Sequence, residues 1–356
     1  LIFYAWGEPK YVLLMLASIL SGYGFGLLQE RYRGQKGAKL VCGLSVAVSL
    51  SFLLYFKYAD FFLENFNAAT GLGVPLLRIA LPIGISFYTF QIISYTVDVY
   101  RGEPAQKNLI HLAAYVAMFP QLIAGPIVRY SDIAQQLEHR SHSTALAAEG
   151  VRRFLIGLGK KILIANQLGE LCSVFRASDE KSVLFYWLYA VAFALHIYFD
   201  FSGYSDMAIG LGKVFGFHFL ENFNYPYISR TVSEFWRRWH ISMQTWFRDY
   251  VYIPLGGNRC SKARQRFNLL ATFLVSGLWH GASWTFVIWG GIHGIAQILE
   301  NLFSRPLSWL RRRTWGKVLC GLSVCLFCGF AWIFFRAPAF SDVLYILAHS
   351  FDGFGH

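Results

Sequence analysis

The feature that most constrains this chain is its succession of apolar runs, each close to the length of a membrane crossing and without internal alternation. About 20 residues rising 1.5 Å each match a hydrocarbon layer about 30 Å thick. Lipid offers no partner to a backbone N–H or C=O, so only helices and closed barrels can cross it. Barrel strands alternate polar and apolar over about ten residues, and these runs do not. The chain is therefore expected to be all-α and polytopic. Its 356 residues, 55% hydrophobic and only 15% charged, form a single membrane domain over 1–356, with room for about eight to ten membrane elements.

The net charge of +12 is gathered in clusters between apolar runs, a pattern that fits the positive-inside rule and excludes a nucleic-acid-binding face. Spans are read at 11–28, 40–56 and 79–99, with a basic cytoplasmic loop at 30–39 and a cytoplasmic turn at 101–104. The run 111–129 is broken by Pro120, Gly125 and Pro126, which points to a re-entrant or interior segment. A polar surface loop with a helix start is expected at 129–153, an amphipathic or short spanning helix at 152–174, and an apolar stretch punctuated by Asp200 and Asp206 at 182–219. Residues 225–266, rich in Arg, Trp and Tyr, are read as a cytoplasmic-side interfacial segment. A further run at 268–299 is read as two elements joined near Gly290-Gly291. It is followed by the basic cluster Arg305, Arg311, Arg312, Arg313 and Lys317 and a last span at 316–335. The start at Leu1 and the tail at 351–356 read as internal cuts.

An ionisable group inside an apolar run is costly, which makes it a functional candidate. His280, in Ser276-Gly277-Leu278-Trp279-His280-Gly281, is the clearest. A neutral imidazole can take the proton of a hydroxyl as its oxygen attacks an acyl carbon. Gly277 and Gly281 leave room for a substrate chain or for a close helix, so the histidine can equally belong to a packing seam. His240 follows Phe235-Trp236-Arg237-Arg238-Trp239. On one continuous amphipathic helix it would share a face with Trp236, Trp239, Met243 and Phe247, either reaching a cavity or resting among interfacial anchors. His196 and Asp200 are spaced to bond along one face. Asp200 and Asp206 need partners at membrane depth, such as a catalytic histidine or an arginine, and a structural polar network is the expected reading. Arg237, Arg238 and Arg248 suit the phosphates of an anionic donor or of lipid headgroups. No phosphate-loop, dinucleotide or nucleophile-elbow motif occurs, and ligand-type residues are too scattered for a metal site. The six cysteines, including the isolated Cys325/Cys328 pair, are expected as buried hydrophobes.

Five segments together carry a family resemblance. They are Phe119-Pro120-Gln121-Leu122-Ile123-Ala124-Gly125-Pro126, Asp200-Phe201-Ser202-Gly203-Tyr204-Ser205-Asp206, Glu234-Phe235-Trp236-Arg237-Arg238-Trp239-His240, Tyr252-Ile253-Pro254-Leu255-Gly256-Gly257-Asn258 and Leu278-Trp279-His280-Gly281. In order and through nearly the whole chain, they resemble the membrane-bound O-acyltransferase family, in its bacterial branch typified by the alginate O-acetyltransferase membrane subunit. The resemblance implies a ring of transmembrane helices around a central funnel, with re-entrant and interfacial helices. It also implies a catalytic role for His280, with His240 facing the same funnel from the cytoplasmic side. It further implies acetyl-CoA as a cytoplasmic donor, no permanently bound cofactor, a polysaccharide acceptor, extracytoplasmic acetyltransferase partner proteins and a multi-pass place in the bacterial inner membrane among its lipids. D-alanyl transfer to teichoic acid, O-acetylation of peptidoglycan or cellulose, and transport without chemistry are the competing expectations.

Overall fold

The computed structural model describes residues 1–178, 182–337 and 339–349, with the backbone alone at 305–307 and 349. The side chain of Arg305 and the tail at 351–356 lie outside the described residues. Among those described, every regular element is helical, and the chain divides into two compact units, 1–153 with 208–220 and 154–207 with 221–356.

The first unit holds α1 (Ile2–Gly7), α2 (Val12–Arg31), α3 (Ala38–Leu53), α4 (Ala59–Thr70), α5 (Ile85–Arg101), α6 (Leu109–Val116), α7 (Phe119–Leu122), α8 (Tyr130–Glu138) and most of α9 (Thr144–Gly159). Helices α2, α3 and α5 pack on one another around Tyr88, Tyr95 and Val99. Helix α3 does not end near residue 56 as its apolar run suggested. A π-helical turn (Leu54–Tyr58) carries it into α4, and Gly71 at φ +74° closes it. Lys57 is accommodated there because its ammonium donates to Ser86 Oγ at 3.1 Å. The broken run at 111–129 is interior, as its prolines implied. Pro120, Gln121, Leu122, Ile127 and Val128 are buried. The freed carbonyls find donors, with Gln121 Nε2 donating to Tyr115 O at 2.9 Å and the Tyr115 hydroxyl to Val128 O at 3.0 Å. The polar stretch at 129–153 holds more helix than the loop with a helix start expected there: α8 and the start of α9 flank a short loop at 139–143. Asp132 accepts from the Arg129 N–H at 3.1 Å, closing a capping box, and Ile133 and Leu137 bury the helix face.

The second unit holds α10 (Asn166–Ala177), most of α11 (Val183–Val214), α12 (Val232–Arg238), α13 (Ile241–Phe247), α14 (Lys262–His280), α15 (Trp284–Leu302), α16 (Ser304–Arg312), α17 (Thr314–Arg336) and α18 (Phe340–His349). Four helical stretches of the chain are long and apolar enough to cross a membrane, Val12–Arg31, Ala38–Thr70, Val183–Val214 and Thr314–Arg336, and the protein is a membrane protein. The break in the 268–299 run falls at Gly281, where Ser283 caps α15 by accepting the Thr285 N–H at 3.3 Å. It does not fall at Gly290-Gly291, where α15 runs on unbroken and Gly290 serves packing. A Cβ on Gly290 would strike Phe273 O, one on Gly277 would strike Phe286 O, and one on Gly281 would strike the Phe286 ring. The space beside His280 is thus filled by a close helix.

A second π turn (Lys160–Ala165) joins α9 to α10. It faces the polar residues of α11: Lys160 bonds Asp206 at 2.6 Å, Lys161 pairs with Asp200, and His196 donates from Nδ1 to Ala165 O at 2.8 Å. The bond expected between His196 and Asp200 does not form, and each aspartate is met by a lysine of the π turn. The cause is the approach of the two helices through Gly157 and Gly203, which brings the lysines alongside.

Two predictions follow from this packing, both read as thermal midpoints in detergent. Gly277→Ala and Gly290→Ala lower the midpoint sharply because the added methyl meets backbone, whereas Gly291→Ala, whose methyl would sit 3.5 Å from Leu274, leaves it unchanged. Asp206→Asn costs about 3 kcal/mol by leaving the Lys160 ammonium with a neutral amide at a position only 8% exposed. Asp200→Asn, at 37% exposure, costs about 1 kcal/mol or less.

Candidate active site

The site lies wholly in the second unit and starts from a corner in the segment read as one amphipathic helix. That helix is interrupted. Helix α12 ends at Arg238, Trp239 is extended, His240 takes the left-handed conformation at φ +46° and ψ 54°, and α13 begins at Ile241. Thr231 Oγ1 starts α12 by accepting the Glu234 N–H at 2.9 Å. Glu234 is pushed up by its partial burial, but the Arg230 N–H at 2.9 Å and the Arg238 guanidinium outweigh this and hold the carboxyl below its ordinary value. After the break Trp236, Trp239, His240, Met243 and Phe247 are all still buried, although they no longer share one helical face. A left-handed histidine is uncommon and costs about 1–3 kcal/mol, so the corner must be held by its surroundings. The main-chain oxygen of Asn222 accepts the Ile241 N–H at 2.9 Å, and Asn222 Oδ1 lies 3.0 Å from His240 Nδ1.

His280 is the last residue of α14, placed by the glycine seam. Its ring lies against those of Trp279 at 5.0 Å, Trp289 at 5.1 Å and Phe335 at 5.3 Å. His240 is buried and rests edge-on against Phe201 at 4.7 Å, and the half-buried His280 is within its electrostatic reach. A third histidine joins them. His293 on α15 is 2% exposed, its ring is 5.1 Å from that of Trp289, and its Nδ1 accepts from the Trp236 indole N–H at 3.1 Å. Reasoning from sequence passed over His293, although it too sits in mid-run and the rule that selected His280 applies to it. Asn222 gave no signal at all, since a lone asparagine before an aromatic segment marks nothing by itself.

His196, Asp200 and Asp206 are bonded to the π turn before α10, as described above. Of the three arginines expected to meet phosphates, Arg238 is bound to Glu234 at 2.9 Å and to Asn224 O at 3.1 Å, and Arg248 is bidentate on Asp249 at 2.7 and 3.1 Å. Arg237 is exposed and has no carboxylate partner among the described residues. Another basic hollow, of about 800 Å³, opens at the start of α14. Asn258, Lys262, Gln265, Arg266, Asn301 and Ser304 line it, and no carboxylate does. Lys262 and His280 bound α14; at 3.6 residues per turn they share one face about five turns and 27 Å apart. The Cys325/Cys328 pair is structural, with Cys325 donating to Tyr227 O at 3.2 Å and Cys328 fully buried. Among the described residues no three His, Cys, Asp or Glu side chains are grouped to hold a metal ion.

Chemically, the arrangement offers imidazoles set among aromatic rings, which suits proton transfer. The chain is 47% identical to the probable alginate O-acetylase AlgI of Azotobacter vinelandii, over 87% of this chain and 65% of that protein. It is 36% identical to the peptidoglycan O-acetyltransferase of Helicobacter pylori, over 98% of this chain and 71% of that protein. With the teichoic acid D-alanyltransferase of Bacillus subtilis it shares 27% identity over 72% of the chain. The chain spans about two thirds of the length of the alginate relatives it matches. The model of the membrane-bound O-acyltransferase family matches residues 46–336, a stretch that contains both His240 and His280. The chain belongs to the membrane-bound O-acyltransferase family.

Proposed function

We propose that the protein is a multi-pass O-acyltransferase of the bacterial inner membrane. It takes an acetyl group from acetyl-CoA on the cytoplasmic side and delivers it for O-acetylation of an extracytoplasmic polysaccharide of the alginate kind. The observation that carries this reading is the imidazole of His280 set among Trp279, Trp289 and Phe335 at the end of α14, in a chain whose family transfers acyl groups. The alginate acceptor rests on the identity to the alginate O-acetylases, which exceeds that to the peptidoglycan and teichoic acid enzymes.

In this mechanism His280 is the general base. The acceptor hydroxyl loses its proton to the imidazole as its oxygen bonds to the acetyl carbon. The carbon–sulfur bond then breaks, and the coenzyme leaves as a thiol once the proton reaches sulfur. General-base catalysis of this kind supplies about 10²–10⁴ in rate. Trp279, Trp289 and Phe335 surround the imidazole and limit competing hydrolysis. On the donor side, Arg237 with Lys262 and Arg266 replaces the trio read from sequence, because Arg238 and Arg248 are already committed to carboxylates. The final acceptor is reached through extracytoplasmic partner proteins, since transfer must leave the membrane interior.

The test uses full-length protein in proteoliposomes with labelled acetyl-CoA outside and partner plus polysaccharide inside. Wild type is expected to place label covalently on the acceptor, and His280→Gln to lose at least about 100-fold in kcat at unchanged expression. Passage of unmodified substrate, equal in both proteins, would identify a transporter instead. In the same assay Lys262→Ala with Arg266→Ala raises KM for acetyl-CoA about tenfold and leaves kcat within about twofold.

A further inference from the structure

Asn222 is 1% exposed and does more than close the His240 corner. Its side-chain orientation is settled by a donor that cannot reverse its role. The backbone N–H of Ser242 lies 3.3 Å from one side-chain atom of Asn222, so that atom is the oxygen, Oδ1. The Ser242 hydroxyl donates to the same oxygen at 2.9 Å, and the amide nitrogen on the other side donates to Ser205 Oγ at 3.0 Å. His240 Nδ1, 3.0 Å from this oxygen, can bond only by donating. The neutral ring therefore carries its proton on Nδ1, and Nε2 holds the lone pair. Because the partner is an amide and not a carboxylate, the tautomer is chosen without a fixed charge beside the ring.

We propose that Asn222 is a positioning residue of the acyl-transfer site, fixing His240 as the Nδ1–H tautomer so that Nε2 is its proton-accepting atom. This deepens the function proposed above and rests on that reading for its catalytic meaning. It divides the work between the two histidines: His280 meets the acceptor hydroxyl, and His240 enters the site as an acceptor of protons or hydrogen bonds through Nε2 alone. A second grip supports the assignment. The same asparagine holds the left-handed backbone of His240 through its main-chain oxygen, so ring orientation and ring tautomer are set by one residue. The groups that face the ring are Phe201 of α11, Asn222 and Phe223 before the corner, and Ser242 after it. His280 from α14 is the titratable neighbour.

The tautomer is read without reference to activity, from ¹⁵N spectra of full-length protein labelled at histidine, with the His240 signals identified by their loss in His240→Gln. Wild type should show Nδ1 as the protonated and Nε2 as the unprotonated nitrogen, and Asn222→Ala should mix the two forms. The reverse assignment, or a mixture in wild type, overturns the proposal even if acetyl transfer is intact; absent acetyl transfer with the expected spectrum counts against the function alone. For the active protein, Asn222→Asp keeps the acceptor oxygen but adds a carboxylate that favours the imidazolium. The acid limb of its kcat/KM profile should move to higher pH by about one unit, with kcat within about tenfold of wild type. Asn222→Ala should lose at least about tenfold in kcat with KM little changed. An acid limb in Asn222→Asp that coincides with that of wild type would reduce Asn222 to a structural part and overturn the assignment, whether or not Asn222→Ala folds.

Discussion

Every polar group carried into the apolar interior of this protein has to find its partner within the chain, and that requirement organises the rest of the structure. Lipid neither solvates a lysine nor bonds a stray carbonyl, so the departures from plain apolar helix that shape this fold are matched by neighbours. The aspartates of α11 sit on the lysines of the π turn before α10, the carbonyls freed around Pro120 are taken by Gln121 and Tyr115, and the corner at His240 is held by Asn222. Glycines then let the helices come close enough for these partners to meet, as at Gly157 with Gly203 and Gly277 with Gly290.

The candidate site is a product of the same rule. His280 is placed by a seam in which backbone nearly touches backbone, so its position depends on the absence of side chains two turns around it. The seam and the catalytic reading, which compete when the sequence alone is considered, are two descriptions of one arrangement. The same holds for His240. The strain of its left-handed backbone is tolerated because a buried amide bonds to both sides of the corner, and rigidity there is what an acyl-transfer site needs in order to keep a proton path aligned.

Much of this was legible in the residues. Apolar run length announced helices, the prolines at 120 and 126 announced an interior segment, and His280 in mid-run with His240 in an aromatic, basic segment marked the candidate site. What was not legible depended on partners distant in sequence. Periodicity predicted one helix through Trp236 and Phe247, and nothing local reveals the break at His240, because the group that holds it is Asn222, 18 positions away. The extension of α3 into α4 was hidden by Lys57 and Asp60, whose charges mimic a loop but are satisfied by Ser86 and by the N–H groups of Leu77 and Arg78. Arg238 and Arg248 looked free in the sequence, and only the folded chain shows the carboxylates beside them.

The π turn at Lys160–Ala165 has a consequence for phase. Along α9 and α10 the residues that face α11 are Gly157, Lys161, Ala165 and Gly169, a stripe with a period of four. On an unbroken α-helix such a stripe would rotate away by about 40° at each step and lose its neighbour within a few turns. One wider turn takes up that drift, as a leap day restores a calendar, and keeps a single face of a long helix turned toward one partner. The chain's residue count through this stretch is therefore part of its geometry, and one position more or fewer between Gly157 and Gly169 would turn the lysines and His196's carbonyl partner away from α11 together.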